Sequence, residues 1–237
     1  RLMGPEIFGV LGLTLAITLM LSTLFQGGIA VAAPPFIAHA LGAQRLSEAR
    51  RLIVWVGAAL LAAGFILSGV VWMIAPLLGE WMASERVGVA LRTLAPFMPF
   101  ITLFDAAAAG LKGMGRNVSQ TLLDSVILQG LTLGLALGSW MWWHDPLYVY
   151  AAYGVAYGGA ALIGMTLLVP AVRGLPTTPE TDWVGLRAVL WQGLPLTLTS
   201  MSQRLFSRGD TIVIGALAGD AALGTYRVAY TLGSMIR

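Results

Sequence analysis

Long, uninterrupted apolar runs are the feature that most restricts how this chain can fold. A helix that crosses a membrane needs roughly 20 consecutive apolar residues. The 237 residues contain six runs of that length and a seventh, shorter one. The runs cover about 7–37, 52–78, 87–111, 118–143, 147–172 and 188–218, and the seventh starts after 224 and stops at 237. Strands of a membrane barrel would alternate apolar and polar residues instead. The sequence therefore predicts an all-α bundle of transmembrane helices, with six full spans and one truncated span.

The composition supports lipid as the solvent. Hydrophobic residues make up 57% of the chain and charged residues 11%, whereas a soluble domain carries about 25% charged residues. The formal charge is +3, but the basic residues lie mostly in short connectors, which is typical of membrane orientation rather than nucleic-acid binding. We therefore expect a multi-pass protein of the cytoplasmic (inner) membrane and no nucleic-acid partner.

The connectors differ in positive charge, which predicts the orientation of the spans. Connectors on one side should face the cytoplasm because they carry the excess of lysine and arginine. That side holds seven cations: Arg45, Arg50, Arg51, Lys112, Arg116, Arg173 and Arg187. The opposite side holds three: Arg1, Arg86 and Arg92.

A weak internal repeat predicts the domain organisation. The segment 2–9 recurs as 217–224, with one leucine and two glycines in common, 215 positions apart. An offset of six spans keeps both copies in the same orientation, which is the parallel type of transporter repeat. We expect residues 1–187 to be an N-terminal lobe that lacks its first span, and residues 188–237 to begin a C-terminal lobe. On this interpretation the chain is a piece of a transporter with two lobes and twelve spans.

The residues near both ends resemble a known family. The segment 1–9 resembles the first hairpin of polysaccharide and lipid-linked oligosaccharide flippases, and 193–196, 210–215 and 223–229 are similar to the opening of their second lobe. These flippases belong to the multidrug/oligosaccharidyl-lipid/polysaccharide exporter superfamily. The resemblance implies a flippase that moves a lipid-linked oligosaccharide or polysaccharide precursor across the membrane by alternating access, with membrane lipid as its other partner.

A sister family offers an alternative. The segments 35–43 and 48–50, and also 113–116, are similar to loops of multidrug and toxin extrusion (MATE) antiporters. That resemblance implies export of a small organic cation in exchange for a proton or sodium. The fourth run lacks the asparagine expected of such an antiporter and has Gln120 and Gln129 instead.

Polar residues inside the apolar runs are the candidates for substrate binding. Arg204 and Arg208 are four positions apart and share one helix face. Charges within spans are costly and mark functional sites by default. The planar guanidinium suits phosphate, and a flippase for pyrophosphate-linked sugars needs cations along its path. We predict that Arg204, Arg208 and Gln129 contact substrate. The alternative is a structural ion pair, for example between Arg208 and Asp210.

Asp105 and Asp124 are the candidates for ion coupling. A carboxylate inside a membrane protein can bind a proton or sodium and couple its flow to export. Asp124 shares a helix face with Gln120, which would suit a polar lumen. The alternative is a hydrogen-bonded or ion-paired contact between helices, with Arg204 as one possible partner.

Other features predict packing rather than chemistry. Gly130, Gly134 and Gly138, and also Gly154 with Gly158, have the spacing that lets helices approach closely. Pro34, Pro96, Pro99 and Pro195 are expected to kink spans. The aromatic residues of 140–150 are typical of an interfacial belt. The sequence contains no cysteine and no recognisable pairing of a nucleophile with a base. We therefore expect no enzyme activity, no catalytic residue, no cofactor and no metal.

Overall fold

The computed structural model describes residues 5–82, 84–177 and 184–234, and the described chain is built from helices without strands. Nine α-helices follow one another in these ranges. They are α1 Pro5–Phe25, α2 Ile29–Gly42, α3 Leu46–Trp81, α4 Glu85–Leu94, α5 Met98–Gly113, α6 Asn117–Thr121, α7 Gln129–Trp143, α8 Pro146–Arg173 and α9 Val184–Ser234. A 3₁₀ turn, Ala95–Phe97, joins α4 to α5, and a π-helix, Leu122–Leu128, joins α6 to α7.

Four of the resulting helical segments are long and apolar enough to cross a membrane. They are Leu46–Trp81, Glu85–Gly113, Asn117–Trp143 and Pro146–Arg173. A fifth span results if Gly9–Phe25 and Ile29–Gly42, which meet at 51°, form one broken span. The prediction of transmembrane helices is confirmed for these segments. The predicted sixth and seventh runs lie within α9, and the count of six full spans and one truncated span stays a prediction.

The first predicted run breaks at a different place from the one expected. The sequence predicted an interruption at Pro34-Pro35, but both prolines lie inside α2. The break falls at Gly27 and Gly28, which have φ angles of 55° and 67°. Glycine adopts these left-handed angles at no steric cost, because it has no Cβ. Two adjacent glycines can therefore leave the helical conformation easily, and the chain bends by 51° between the two helices. Pro34 and Pro35 each lack a backbone N–H, but their φ of about −65° is compatible with a helix, and α2 runs through both.

The other connections follow from local chemistry. Pro96 and Pro99 lie at the 3₁₀ turn that interrupts the third run, as expected for residues that lack a backbone N–H. His144 ends α7 with a φ of 54°, and Asp145 caps α8 by accepting a hydrogen bond from the backbone nitrogen of Leu147 at 2.9 Å. The break that the sequence predicts between the runs 118–143 and 147–172 is confirmed.

Helix α9 reverses direction at Gly219. This residue has φ 78° and ψ 173°, which no helix accommodates. The hydroxyl of Tyr226 donates a hydrogen bond to Asp210, 16 positions earlier. In a straight helix these residues would be about 24 Å apart, at 1.5 Å per residue. The chain therefore folds back at Gly219 into two limbs, 184–218 and 220–234. The predicted loop 219–224 is shorter than expected, because the helix resumes directly after Gly219.

Two apolar clusters hold the bundle together. One centres on Leu60, Phe104 and Leu111, and the other on Leu67, Leu91 and Met98. Large apolar side chains also point outwards, where a soluble protein would carry polar ones. Phe65, Met73, Leu133 and Leu162 are examples, each more than half exposed. Outward apolar side chains on helices, which satisfy most of their backbone groups internally, are what lipid requires of a membrane protein.

Candidate functional site

A row of polar side chains runs along one buried face of α1. Its members are spaced four positions apart, which places them on the same side of the helix. They are Thr14, Thr18, Ser22 and Gln26, and none is more than 7% exposed. The hydroxyls of Thr14 and Thr18 have no hydrogen-bond partner among the described residues. Buried polar groups without partners are costly, so this row is an unusual feature of an otherwise apolar helix.

The row ends at an amide that joins α1 to α5. The side-chain nitrogen of Gln26 donates hydrogen bonds to Oγ of Ser22 at 2.7 Å and to Oδ2 of Asp105 at 2.6 Å. An amide nitrogen carries two protons and can make both bonds at once. Gln26 immediately precedes the Gly27-Gly28 break, so the bend in the span and the contact with Asp105 occur at the same level of the bundle.

A pocket of about 220 Å³ opens beside this contact. Four polar side chains line it: Gln26, which directly follows α1, Asp105 and Lys112 on α5, and Gln120 on α6. The remaining wall is small and apolar, and includes Pro34. Asp105 and Gln120 are half-buried, whereas Lys112 is exposed. The pocket therefore combines an acid, a base and two amides within an apolar bundle, a chemistry that suits a small cation, water or the polar part of a larger solute.

Of the two predicted coupling acids, the structure places only Asp105 in this pocket. Asp124 is exposed on the π-helix and does not line the pocket, although Gln120 does. Asp124 and Gln120 are one helical turn apart, but only Gln120 lines this pocket, so a lumen shared by both residues stays a prediction. Gln129, a predicted substrate contact, is exposed at the first position of α7.

The predicted arginines lie on α9, but the structure does not describe their side chains. The backbone at Arg204 and Arg208 is helical, while the direction of both guanidinium groups lies outside the described residues. Their contact with substrate stays a prediction. Asp210 accepts hydrogen bonds from Tyr226 and from the backbone nitrogen of Thr211, which supports its interpretation as a structural residue.

Gln26 is a site residue that the sequence did not predict. A neutral amide does not stand out by charge, and its hydrogen-bond partner lies 79 positions away. Its position in the sequence could have identified it, because Gln26 interrupts an apolar run directly before two glycines. Within the described ranges, no three His, Cys, Asp or Glu side chains come together in a group that could hold a metal ion.

Comparison with known proteins decides the family. The model of the family described as "Polysaccharide biosynthesis protein" matches residues 1–237, the whole chain. The chain belongs to this family. No curated protein and no solved structure matches it. Family membership and the apolar helices together make this a multi-pass membrane protein of polysaccharide biosynthesis and transport. The resemblance is thus confirmed at the level of the polysaccharide biosynthesis family, and flippase activity itself stays a prediction.

In a polysaccharide biosynthesis protein, the polar pocket acquires a clear context. The family suggests a lipid-linked saccharide and membrane lipid as partners. Such a substrate has a polar head and an apolar tail, and only the head needs polar groups inside the bundle. Among the described residues, Gln26, Asp105 and Gln120 bring such groups together in one pocket.

Proposed function

We propose that this protein is a flippase of the cytoplasmic membrane that moves a lipid-linked oligosaccharide or polysaccharide precursor from one leaflet to the other. The observation that carries the proposal is the family match over the whole chain, in a family whose members are typically transporters or flippases. The polar pocket within an apolar bundle supports it, because a saccharide head group cannot cross hydrocarbon without polar partners.

The proposed mechanism is alternating access. Residues 1–187 and 188–237 belong to two lobes that rock about a central cavity, as in transporters with parallel repeats. The saccharide head occupies the cavity while the lipid tail stays in the bilayer. Arg204 and Arg208 hold the phosphate groups, since guanidinium pairs with phosphate through two parallel hydrogen bonds. Gln129 contributes a neutral hydrogen-bonding contact with the sugar.

Asp105 is the proposed coupling residue, and Asp124 is a second candidate. Asp105 lies inside the bundle and is held by Gln26, so gaining or losing a proton there changes the contact between α1 and α5. Protonation converts one carboxylate oxygen from an acceptor to a donor, which weakens its bond with the donating amide of Gln26. A proton at this position therefore favours a different arrangement of the broken span, and this links ion movement to a conformational change.

The position of Asp105 in the polar pocket also supports a second candidate function. A pocket with Asp105 as its acid also suits a MATE-type antiporter, in which a small organic cation and a proton or sodium compete for one carboxylate. The two functions differ in what must be held. The flippase needs the cations Arg204 and Arg208, whereas the antiporter needs only the acid.

Complementation of a strain that lacks its own flippase tests the proposal. The protein should restore surface polysaccharide, and Arg204→Ala should reduce the restored amount to background at equal membrane abundance. Arg187→Ala is the matched control, because Arg187 is an exposed arginine on the same helix and should be tolerated. If Arg204→Ala complements as well as Arg187→Ala, the assignment of Arg204 is wrong. If cells expressing the protein instead gain resistance to organic cations that depends on Asp105, the antiporter is favoured.

A further inference from the structure

A second pocket lies on the opposite side of α5 and has a different character. It has a volume of about 340 Å³, within the roughly 300–1,000 Å³ that is usual for small-ligand clefts. Apolar side chains from α3, α5 and α8 form its walls, including Ile53, Leu103, Met165 and Leu168. Gly57, on α3, contributes a stretch of wall without a side chain. The pocket is thus a slot between three helices, suited to a hydrocarbon chain.

Two arginines stand at one end of this slot. Arg50 is in the first turns of α3, and Arg173 is the last residue of α8; both line the pocket. Nη1 of Arg50 donates a hydrogen bond to the backbone oxygen of Leu175 at 2.8 Å, which fixes the guanidinium beside the end of α8. A guanidinium has five N–H donors, so most donors of Arg50 remain available to another partner.

The two arginines at this end form no ion pair within the part of the chain that the structure describes. The ion pair found there joins Arg45 to Glu48 at 3.6 Å, and neither Arg50 nor Arg173 shares in it. Both arginines also belong to the set of cations that predicts the cytoplasmic side. Anionic lipids are concentrated in the cytoplasmic leaflet, and basic pockets between transmembrane helices on that side bind their head groups.

We propose that this slot, defined by Ile53, Gly57, Leu103 and Leu168 with Arg50 and Arg173 at its mouth, binds an anionic phospholipid. One acyl chain lies along the apolar walls, and the phosphate accepts hydrogen bonds from the two guanidinium groups. Charge and shape together favour an anionic phospholipid. A zwitterionic lipid would gain less binding free energy from two arginines, and a free phosphate would make no contact with the apolar walls. This site is separate from the polar pocket and does not depend on the proposed flippase activity.

Native mass spectrometry of the purified protein tests the proposal with two probes, palmitoyl-oleoyl phosphatidylglycerol and the matching phosphatidylcholine. The protein should retain phosphatidylglycerol in preference to phosphatidylcholine. Arg50→Gln and Arg173→Gln should each lower its affinity about fivefold, the effect of removing one basic residue near an anionic surface. Arg45→Gln, which removes a cation from the same end of the bundle but outside the slot, should leave the affinity within twofold of the unchanged protein, about the scatter among repeat measurements.

A second variant fills the slot without changing its charge. A Cβ added at Gly57 meets no atom within 4 Å, so Gly57→Leu should fold and should block the acyl chain. Gly69→Leu is the matched control, because Gly69 lies on the same helix, is equally open and does not line the slot. Loss of phosphatidylglycerol in Gly57→Leu but not in Gly69→Leu supports the proposal. The proposal would be overturned if both variants bound phosphatidylglycerol equally, or if the protein retained both lipids equally. It would also be overturned if, in a competition experiment, only a polyprenyl pyrophosphate displaced phosphatidylglycerol.

Discussion

The side-chain amide of Gln26 and the carboxylate of Asp105 meet at 2.6 Å, although 79 positions separate them in the chain. The contact joins the end of α1 to the middle of α5, at the level where two glycines break the first span. It is a polar link between two spans in a protein whose other helix contacts are largely apolar. Its position beside a pocket makes it the natural place to test both stability and transport.

Replacing Gln26 by leucine should destabilise the bundle. The substitution removes the donor to Asp105 and to Ser22, and polar contacts between membrane helices contribute about 1–2 kcal/mol. The melting temperature of the variant in detergent should therefore be lower than that of the wild-type protein. Gln129→Leu is the control, because it makes the same change at an exposed position and should leave melting unaltered. Equal melting of the two variants would show that the contact does not stabilise the fold.

Gly28→Ala should be far more damaging than Gly27→Ala. Both glycines have left-handed backbone angles, so alanine at either one costs about 1–2 kcal/mol. Only at Gly28 does the added Cβ collide, because it overlaps the backbone oxygen of Gly193 and lies 2.8 Å from Oγ1 of Thr197. The difference in melting temperature between the two variants measures how closely the Gly27-Gly28 break packs against α9. If both lose the same stability, the break and α9 are not in backbone contact.

Tyr226→Phe should loosen the hairpin at Gly219. The change removes the hydroxyl that donates to Asp210, and one such hydrogen bond contributes about 1–2 kcal/mol. Hydrogen exchange of the limb 220–234 should speed up. Tyr148→Phe is a suitable control, because Tyr148 is exposed and its ring stacks on Trp143, a contact that phenylalanine retains. Unchanged exchange in Tyr226→Phe would argue against a reversal of the chain at this point.

Alanine substitutions at Gly154 and Gly134, one from each set of regularly spaced glycines, should change stability in opposite directions. A Cβ at Gly154 would overlap the ring of Phe97, whereas a Cβ at Gly134 meets nothing within 4 Å. Gly154→Ala should therefore lower the melting temperature. Gly134→Ala should raise stability by up to about 1 kcal/mol through helix propensity alone. A loss of stability in Gly134→Ala would mean that another helix covers this face, as the spacing first suggested.

Much of the helical arrangement could be predicted from the sequence, because apolar runs and their breaks are local signals. The turn at His144 and Asp145 follows from residues that disfavour or cap a helix, and the structure has it there. The break in the first span was predicted at Pro34 rather than Gly28, since a proline is the stronger local signal. Whether two glycines bend a span depends on what lies against them, here Gly193.

The candidate site was only half predictable. Asp105 is a charge in an apolar run and was identified for that reason, whereas Gln26 carries no charge and its role depends on a distant partner. Asp124 was expected to share a polar lumen with Gln120, but Asp124 is exposed and only Gln120 lines the pocket. Local patterns thus found the costly residue but not the residue that stabilises it.

Reconstitution measures directly whether the protein moves lipid-linked saccharides between leaflets. The purified protein in sealed proteoliposomes should expose a fluorescent lipid-linked oligosaccharide of the inner leaflet to a membrane-impermeant quencher at a rate well above that of protein-free vesicles. Asp105→Asn should slow the rate, because an amide cannot take up or release a proton. Its melting temperature should fall less than that of Gln26→Leu, because the amide oxygen still accepts a hydrogen bond, although a weaker one, from Gln26. Vesicles that show no transfer of the oligosaccharide lipid, but exchange an organic cation for protons or sodium, would contradict the account.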